Sequence, residues 1–208
     1  MLLTEVTSRQ ILKLFTEITD MKRLILLAFV LIFLSSCVTT WTQVGGSYNS
    51  NTKDFTVDLP SGWMKAKSND LLLITKDGIL LQNIIIKRIA VTEELEYSKK
   101  KFRLDMLPHE QAELIADDFA SNPALFNFTI LENSPVTIDG HKGFRLVFTY
   151  KNEDNLKVKS TLNGFLVKDW FYLIRYTAAA RYYFDKDSAS YDQVVNSFKL
   201  YALLMQPS

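Results

Sequence analysis

The sequence predicts an α+β fold over residues 54–200, an antiparallel β-sheet covered by helices. Three observations carry this. Short apolar runs, several strictly alternating, recur between tight-turn dipeptides, Asp77-Gly78 and Asp139-Gly140 among them; strands joined by tight turns lie antiparallel. Two stretches, 108–119 and 188–198, carry apolar residues at helical spacing instead. A helix with one apolar stripe must bury it, and the sheet offers the face.

The elements follow in order. Phe55-Thr56-Val57-Asp58-Leu59 alternates as a half-buried strand does. Pro60-Ser61-Gly62 turns the chain, and Trp63 follows. Leu71–Thr75 is a second strand. Ile79–Val91 reads as a long third strand, with β-branched Ile84-Ile85-Ile86 buried on both faces at its centre. Glu93, Glu94 and Glu96 are followed by Lys99, Lys100 and Lys101, the pattern of a solvated loop or helix face. Pro108 suits a first helical turn. Ala112, Ile115, Ala116 and Phe119 form the stripe of that helix, Glu110 and Glu113 favour its dipole, and Asn122-Pro123 ends it. Phe126–Glu132 is a strand. Pro135–Ile138 and Gly143–Tyr150 make a hairpin, and Leu156–Val167 and Trp170–Ala179 make another around Lys168-Asp169. Residues 181–187 connect to a closing helix at 188–198, with Tyr191, Val194, Val195 and Phe198 on one stripe. Residues 201–208 read as a tail.

The front of the chain has another character. Lys22-Arg23 precedes an apolar run from Leu24 to Leu34, and Ser35-Ser36-Cys37 follows. A positive start, a short apolar run and small residues are the pattern of an export signal, over residues 21–36. The run is too short to span a membrane, which takes about 20 apolar residues. Leu34-Ser35-Ser36-Cys37 resembles the bacterial lipobox. The resemblance implies cleavage between Ser36 and Cys37 and acylation of Cys37, and so a membrane partner through lipid. Cys37 is the sole cysteine, so no internal disulfide staples the fold. A bacterial envelope location follows, on the periplasmic or outer-surface side. Residues 1–20 read as an over-extended N-terminus with Met21 as the true start, or alternatively as a short amphipathic helix. Residues 37–53, polar and containing Gly45-Gly46, read as a lipidated cysteine and flexible tether.

Composition limits function. Lys plus Arg is 24 against 23 Asp plus Glu, a formal charge of +1, which gives no electrostatic case for nucleic acid. There is no G-x-S-x-G and no phosphate-cradling glycine loop. His109 and His141 sit in no metal motif, so no metal site and no cofactor are expected. No catalytic residue is assigned. Trp63 either lines a pocket or caps the core. Trp170, Tyr172 and Tyr176 share one face of a strand and Arg175 the other; with Trp63 and Arg181 they form a candidate binding patch, unless helices cover both faces.

Phe55-Thr56-Val57-Asp58-Leu59-Pro60-Ser61-Gly62-Trp63 resembles the opening of the PsbP-like family. Val136-Thr137-Ile138-Asp139-Gly140 with Gly143-Phe144-Arg145, and Ser197-Phe198 at the close, extend the likeness. The resemblance implies an α/β/α-type sandwich and a binding or assembly role, without a catalytic residue. The function expected is a membrane-anchored, non-catalytic binding or assembly module with a protein partner in the envelope. The alternative is a lipid-anchored hydrolase whose site is built from scattered residues.

Overall fold

A computed structural model of the chain describes residues 41–201. The readings of residues 1–20 and 21–36, of Ser36 and Cys37, and of most of the tail lie outside the described residues. The described residues form β1 (Thr42–Asn49), β2 (Phe55–Lys65), β3 (Leu71–Thr75), β4 (Gln82–Ala90), α1 (Pro108–Ala120), β5 (Phe126–Ile138), β6 (His141–Lys151), β7 (Lys157–Val167), β8 (Trp170–Ala179), α2 (Tyr183–Ser197) and β9 (Lys199–Leu200). The strands join one nine-stranded sheet in the order β1-β2-β3-β4-β8-β7-β6-β5, with β9 beside β2. The pairings are antiparallel throughout.

Strand alternation sends the apolar residues of β8 to two separate cores. Tyr172, Ile174 and Tyr176 pack with Ile84, Ile86 and Trp63, and with Phe184, Tyr191 and Val194 of α2. Phe171 and Leu173 pack on the opposite side with Phe144, Phe148 and Leu162, and with Ala112 and Ile115 of α1. Each helix therefore lies on its own face of the sheet. The Tyr191 hydroxyl, buried under α2, lies 2.6 Å from Asn163 Oδ1 and 3.0 Å from the Ile174 carbonyl. At the start of α1, Pro108 occupies the first turn and the Glu110 carboxylate accepts the Leu107 N–H at 2.7 Å. On the α1 face, Gly164 has no room for a side chain. A Cβ there would meet Phe171 Cζ at 2.6 Å and Phe144 Cζ at 2.8 Å.

Five features differ from the sequence reading. Pro60-Ser61-Gly62 does not turn the chain: β2 runs through it from Phe55 to Lys65, and the three residues form a bulge opposite Gly45, with Gly62 at φ 79°. The stretch assigned to a flexible tether holds β1, paired with β2 from Thr42↔Lys65 to Asn49↔Thr56. Its outward residues are polar because it is an edge strand, while Val44 and Tyr48 pack inward on the core. Gly45-Gly46 marks a break in register, with Gly46 at φ 79°, rather than a loose linker. The strand read as the third begins at Gln82, because residues 79–81 fold into the turn opened by Asp77-Gly78; the Leu81 N–H bonds the Gly78 carbonyl at 3.0 Å. Residues 126–138 form one irregular strand, not two. Pro135 is tolerated because β5 is a sheet edge, where a missing N–H breaks no second ladder. Helix α2 starts at Tyr183, inside the expected connection, and kinks at Asp187 (φ −124°, ψ 15°).

Candidate functional site

Helix α1 packs against β5, β6 and β7. The same face of the sheet over β3, β4 and β8 is roofed instead by the segment that precedes the helix. Leu95 and Phe102 pin that segment to the core, Phe102 stacking on Phe171 at 4.1 Å. Asp118 of α1 accepts the Tyr97 and Ser98 N–H groups at 2.9 and 2.8 Å. Lys100 pairs with Asp117 at 2.9 Å and Lys101 with Glu94 at 3.5 Å. The Lys99–Arg103 cluster thus spends its charge on neighbours, as a solvated face does. Between roof and sheet lies a cleft of about 610 Å³, within the range of small-molecule sites.

The floor of the cleft carries two cations. Ile85, Lys87 and Ile89 of β4 alternate onto it, as do Leu173 and Arg175 of β8. The register pairs Ile85 with Arg175 and Lys87 with Leu173, which makes Lys87 and Arg175 diagonal neighbours on one face. Among the described residues neither forms an ion pair or a hydrogen bond, and Arg175 Nε is buried without a partner. The Arg175 guanidinium lies 5.4 Å from the centre of the Phe119 ring. The other half-buried arginines are neutralised: Arg88 meets Asp54 at 3.3 Å, and Arg145 meets Asp192 at 3.7 Å.

The electrostatics follow from this geometry. Burial first, then the Arg175 charge, holds the Lys87 amine below its ordinary 10.5, against the opposing pull of Glu96, Glu93 and Asp118. Burial also lowers Arg175, with Tyr150 and Tyr97 acting the other way. Burial raises the Tyr150 hydroxyl. An anion reaching the floor meets two donors that hold no ion pair, between apolar side chains and below the acidic rim of Glu93, Glu94, Glu96 and Asp118. The lining residues include no Ser, Thr, Cys or His. Among the described residues no group of three or more His, Cys, Asp or Glu is placed to hold a metal ion.

The structure does not bring the expected patch together. Trp63 and Tyr172 are each 1% exposed and Tyr176 is fully buried, all in the core under α2. They are core because α2 covers that face. Trp170 is half-buried at the end of β8, with the Arg88 guanidinium 4.0 Å from its ring centre. Arg181 is exposed beyond β8. Arg175 alone of the set lies in the cleft, on the opposite face from Tyr172 and Tyr176. His141 Nδ1 lies 3.0 Å from the Asp139 carbonyl and its ring stacks on Phe165. His109 is exposed on the first turn of α1. Lys87 escaped the sequence reading. Its signal was present in Ile85-Ile86-Lys87-Arg88-Ile89, where a cation holds an apolar face position between two isoleucines.

A second polar cluster is structural. Buried Asp54 accepts from Ser50 Oγ at 2.5 Å and from Thr52 Oγ1, pairs with Arg88, and lies 3.4 Å from the Tyr172 hydroxyl. Burial, reinforced by Asp54, pushes Tyr172 up to about 12. The adjoining cavity is about 20 Å³, room for about one water. Its groups satisfy one another and tie the β1–β2 turn to β4 and β8.

No protein-family model matches the chain, and no curated protein matches it. Solved structures do match. The solution structure of a cyanobacterial PsbP protein (CyanoP) from Synechocystis sp. PCC 6803 aligns with a TM-score of 0.50 at 13% identity, covering 80% of this chain and 96% of that one. The crystal structure of the Ran-binding protein Mog1p from Saccharomyces cerevisiae aligns with a TM-score of 0.50 at 10% identity, covering 76% and 96%. Identities this low speak to the fold alone.

Proposed function

From a PsbP-like domain whose half-roofed sheet face holds two unneutralised cations, we propose a non-catalytic binding or assembly module of the bacterial cell envelope. Lipid on Cys37 holds it at a membrane, on the periplasmic or outer-surface side, after cleavage behind Ser36. Its ligand seats in the cleft, and a protein partner in the envelope meets the rim. The observation that carries this reading is the pair Lys87 and Arg175 on the cleft floor, neither of them in an ion pair or hydrogen bond among the described residues. Cations in such a place are expensive to bury and are expected to meet an anion.

The test is photo-crosslinking in native membranes. The crosslinker p-benzoylphenylalanine is placed at Leu125, in the cleft, and in a second protein at Glu153, exposed on the β6–β7 turn. Defined adducts from position 125 that are absent from position 153 are expected. Equal labelling from both positions, or none from 125, would overturn the cleft as the binding surface.

A further inference from the structure

We infer that the cleft takes a small monocarboxylate on an apolar body, its carboxylate seated between Lys87 and Arg175. The inference rests on the cleft being the binding surface and names what enters it.

Charge complementarity selects the head group. Two cations sit diagonally on the floor with no counter-ion among the described residues. Arg175 presents a planar fork that matches a carboxylate, and its Nε is already buried and unpartnered. The ring of Phe119 flanks its guanidinium, which limits how far the fork can swing. Elsewhere the fold gives its half-buried arginines carboxylates of its own, Asp54 for Arg88 and Asp192 for Arg145. Here that place is left for a ligand.

The rim limits the charge to one. Glu93, Glu94, Glu96 and Asp118 line the cleft on its roof side. Asp118 is held by the Tyr97 and Ser98 N–H groups and Glu94 by Lys101, so neither is free to swing down and neutralise the floor. The acidic groups of the rim outnumber the two floor cations, so an anion is held only in direct contact with Lys87 and Arg175, and a doubly charged head meets more repulsion from the rim than a singly charged one.

The walls select the body. Ile85, Ile89 and Leu173 on the sheet side, with Leu95, Ile115 and Phe119 opposite, gain nothing from a polar ligand. They favour an aliphatic or aromatic body through burial of apolar area. The cleft volume of about 610 Å³ suits a small molecule of that kind.

The test is a titration of the full chain with octanoate, octanol, octylamine and octyl phosphate, which share one body and differ in the head. Binding is followed by NMR shifts of cleft residues. A charge-assisted pair of this kind corresponds to octanoate binding about ten- to a hundredfold tighter than octanol or octylamine. Lys87→Met and Arg175→Met each bring octanoate toward the octanol affinity, with the fold of both variants checked independently by circular dichroism and a cooperative urea transition. Octanol matching octanoate, octyl phosphate exceeding octanoate, or variants that bind octanoate as the parent does would each overturn the inference. Octanol matching octanoate leaves the cleft standing as a binding surface. If no probe enters the cleft, the inference fails, and crosslinking from position 125 decides separately whether the cleft reading survives.

Discussion

Replacing Lys87 with Met is expected to stabilise the domain. Lys87 and Arg175 are diagonal neighbours across β4 and β8; the backbones of such a pair sit about 7–8 Å apart, and that spacing serves as an order-of-magnitude separation for their charges. At an effective dielectric of about 20, two like charges at that spacing repel by about 2 kcal/mol. Lys87 is half-buried, so solvent screening leaves about 1–2 kcal/mol. Met keeps the apolar stem and flexibility while removing the charge. For a domain of this size the gain raises the melting temperature by about 2–8 °C. The pH dependence has a definite sign. The folded-state Lys87 lies below its ordinary 10.5, held down by burial and Arg175 against Glu96, Glu93 and Asp118. Between that lowered value and 10.5 the unfolded chain binds more protons than the folded one, so the parent gains stability as pH rises. The advantage of Lys87→Met is therefore full at neutral pH and disappears above 10.5. Urea denaturation of both proteins at neutral pH and near pH 11 measures it. A variant no more stable than the parent at neutral pH refutes the reasoning, because it would mean that the fold already compensates the charge.

Other expected outcomes follow from other parts of the fold. Asp54→Ala strands Arg88 and the Tyr172 hydroxyl; the loss of a buried pair costs about 3–5 kcal/mol, read as a lower urea midpoint. Tyr191→Phe leaves Asn163 Oδ1 buried without its hydroxyl donor, at about 1–3 kcal/mol, with the fold retained by circular dichroism. Gly164→Ala drives a methyl into the rings of Phe144 and Phe171, at about 1–3 kcal/mol, whereas the same change at Gly46, where a Cβ meets nothing within 4 Å, costs only the strain of its φ of 79°. Cys37→Ala is expected to abolish labelled-palmitate incorporation and membrane retention; incorporation that persists rejects Cys37 as the anchor.

Local features of the fold were legible in the sequence. Alternation marks Phe55–Leu59, tight turns mark Asp77-Gly78 and Asp139-Gly140, and Pro108 with its stripe gives α1 as Pro108–Ala120. Strand β1 was not legible, because an edge strand with polar outward residues and a Gly-Gly break has the composition of a linker. The site was less legible than the fold. Pairing of β4 with β8 joins residues nearly ninety positions apart, and no local pattern shows that Lys87 and Arg175 share a floor. Alternation placed Trp170, Tyr172 and Tyr176 opposite Arg175 correctly, but which face stays open depends on where the helices dock. Helix α2 closes the aromatic face, while α1 sits over β5, β6 and β7 and leaves the Arg175 face to the cleft. The aromatic residues suggested a binding surface because large rings are common to cores and interfaces alike.

The most direct test of the cleft as an anion-receiving site is side-chain NMR of Lys87 and Arg175 in the full chain during octanoate addition. The Arg175 Nε–H and Lys87 Nζ resonances are expected to shift together, saturably, with the Lys87 titration moving upward toward 10.5 as the carboxylate takes its place. Resonances that stay fixed while octanoate shifts only residues outside the cleft would contradict the account.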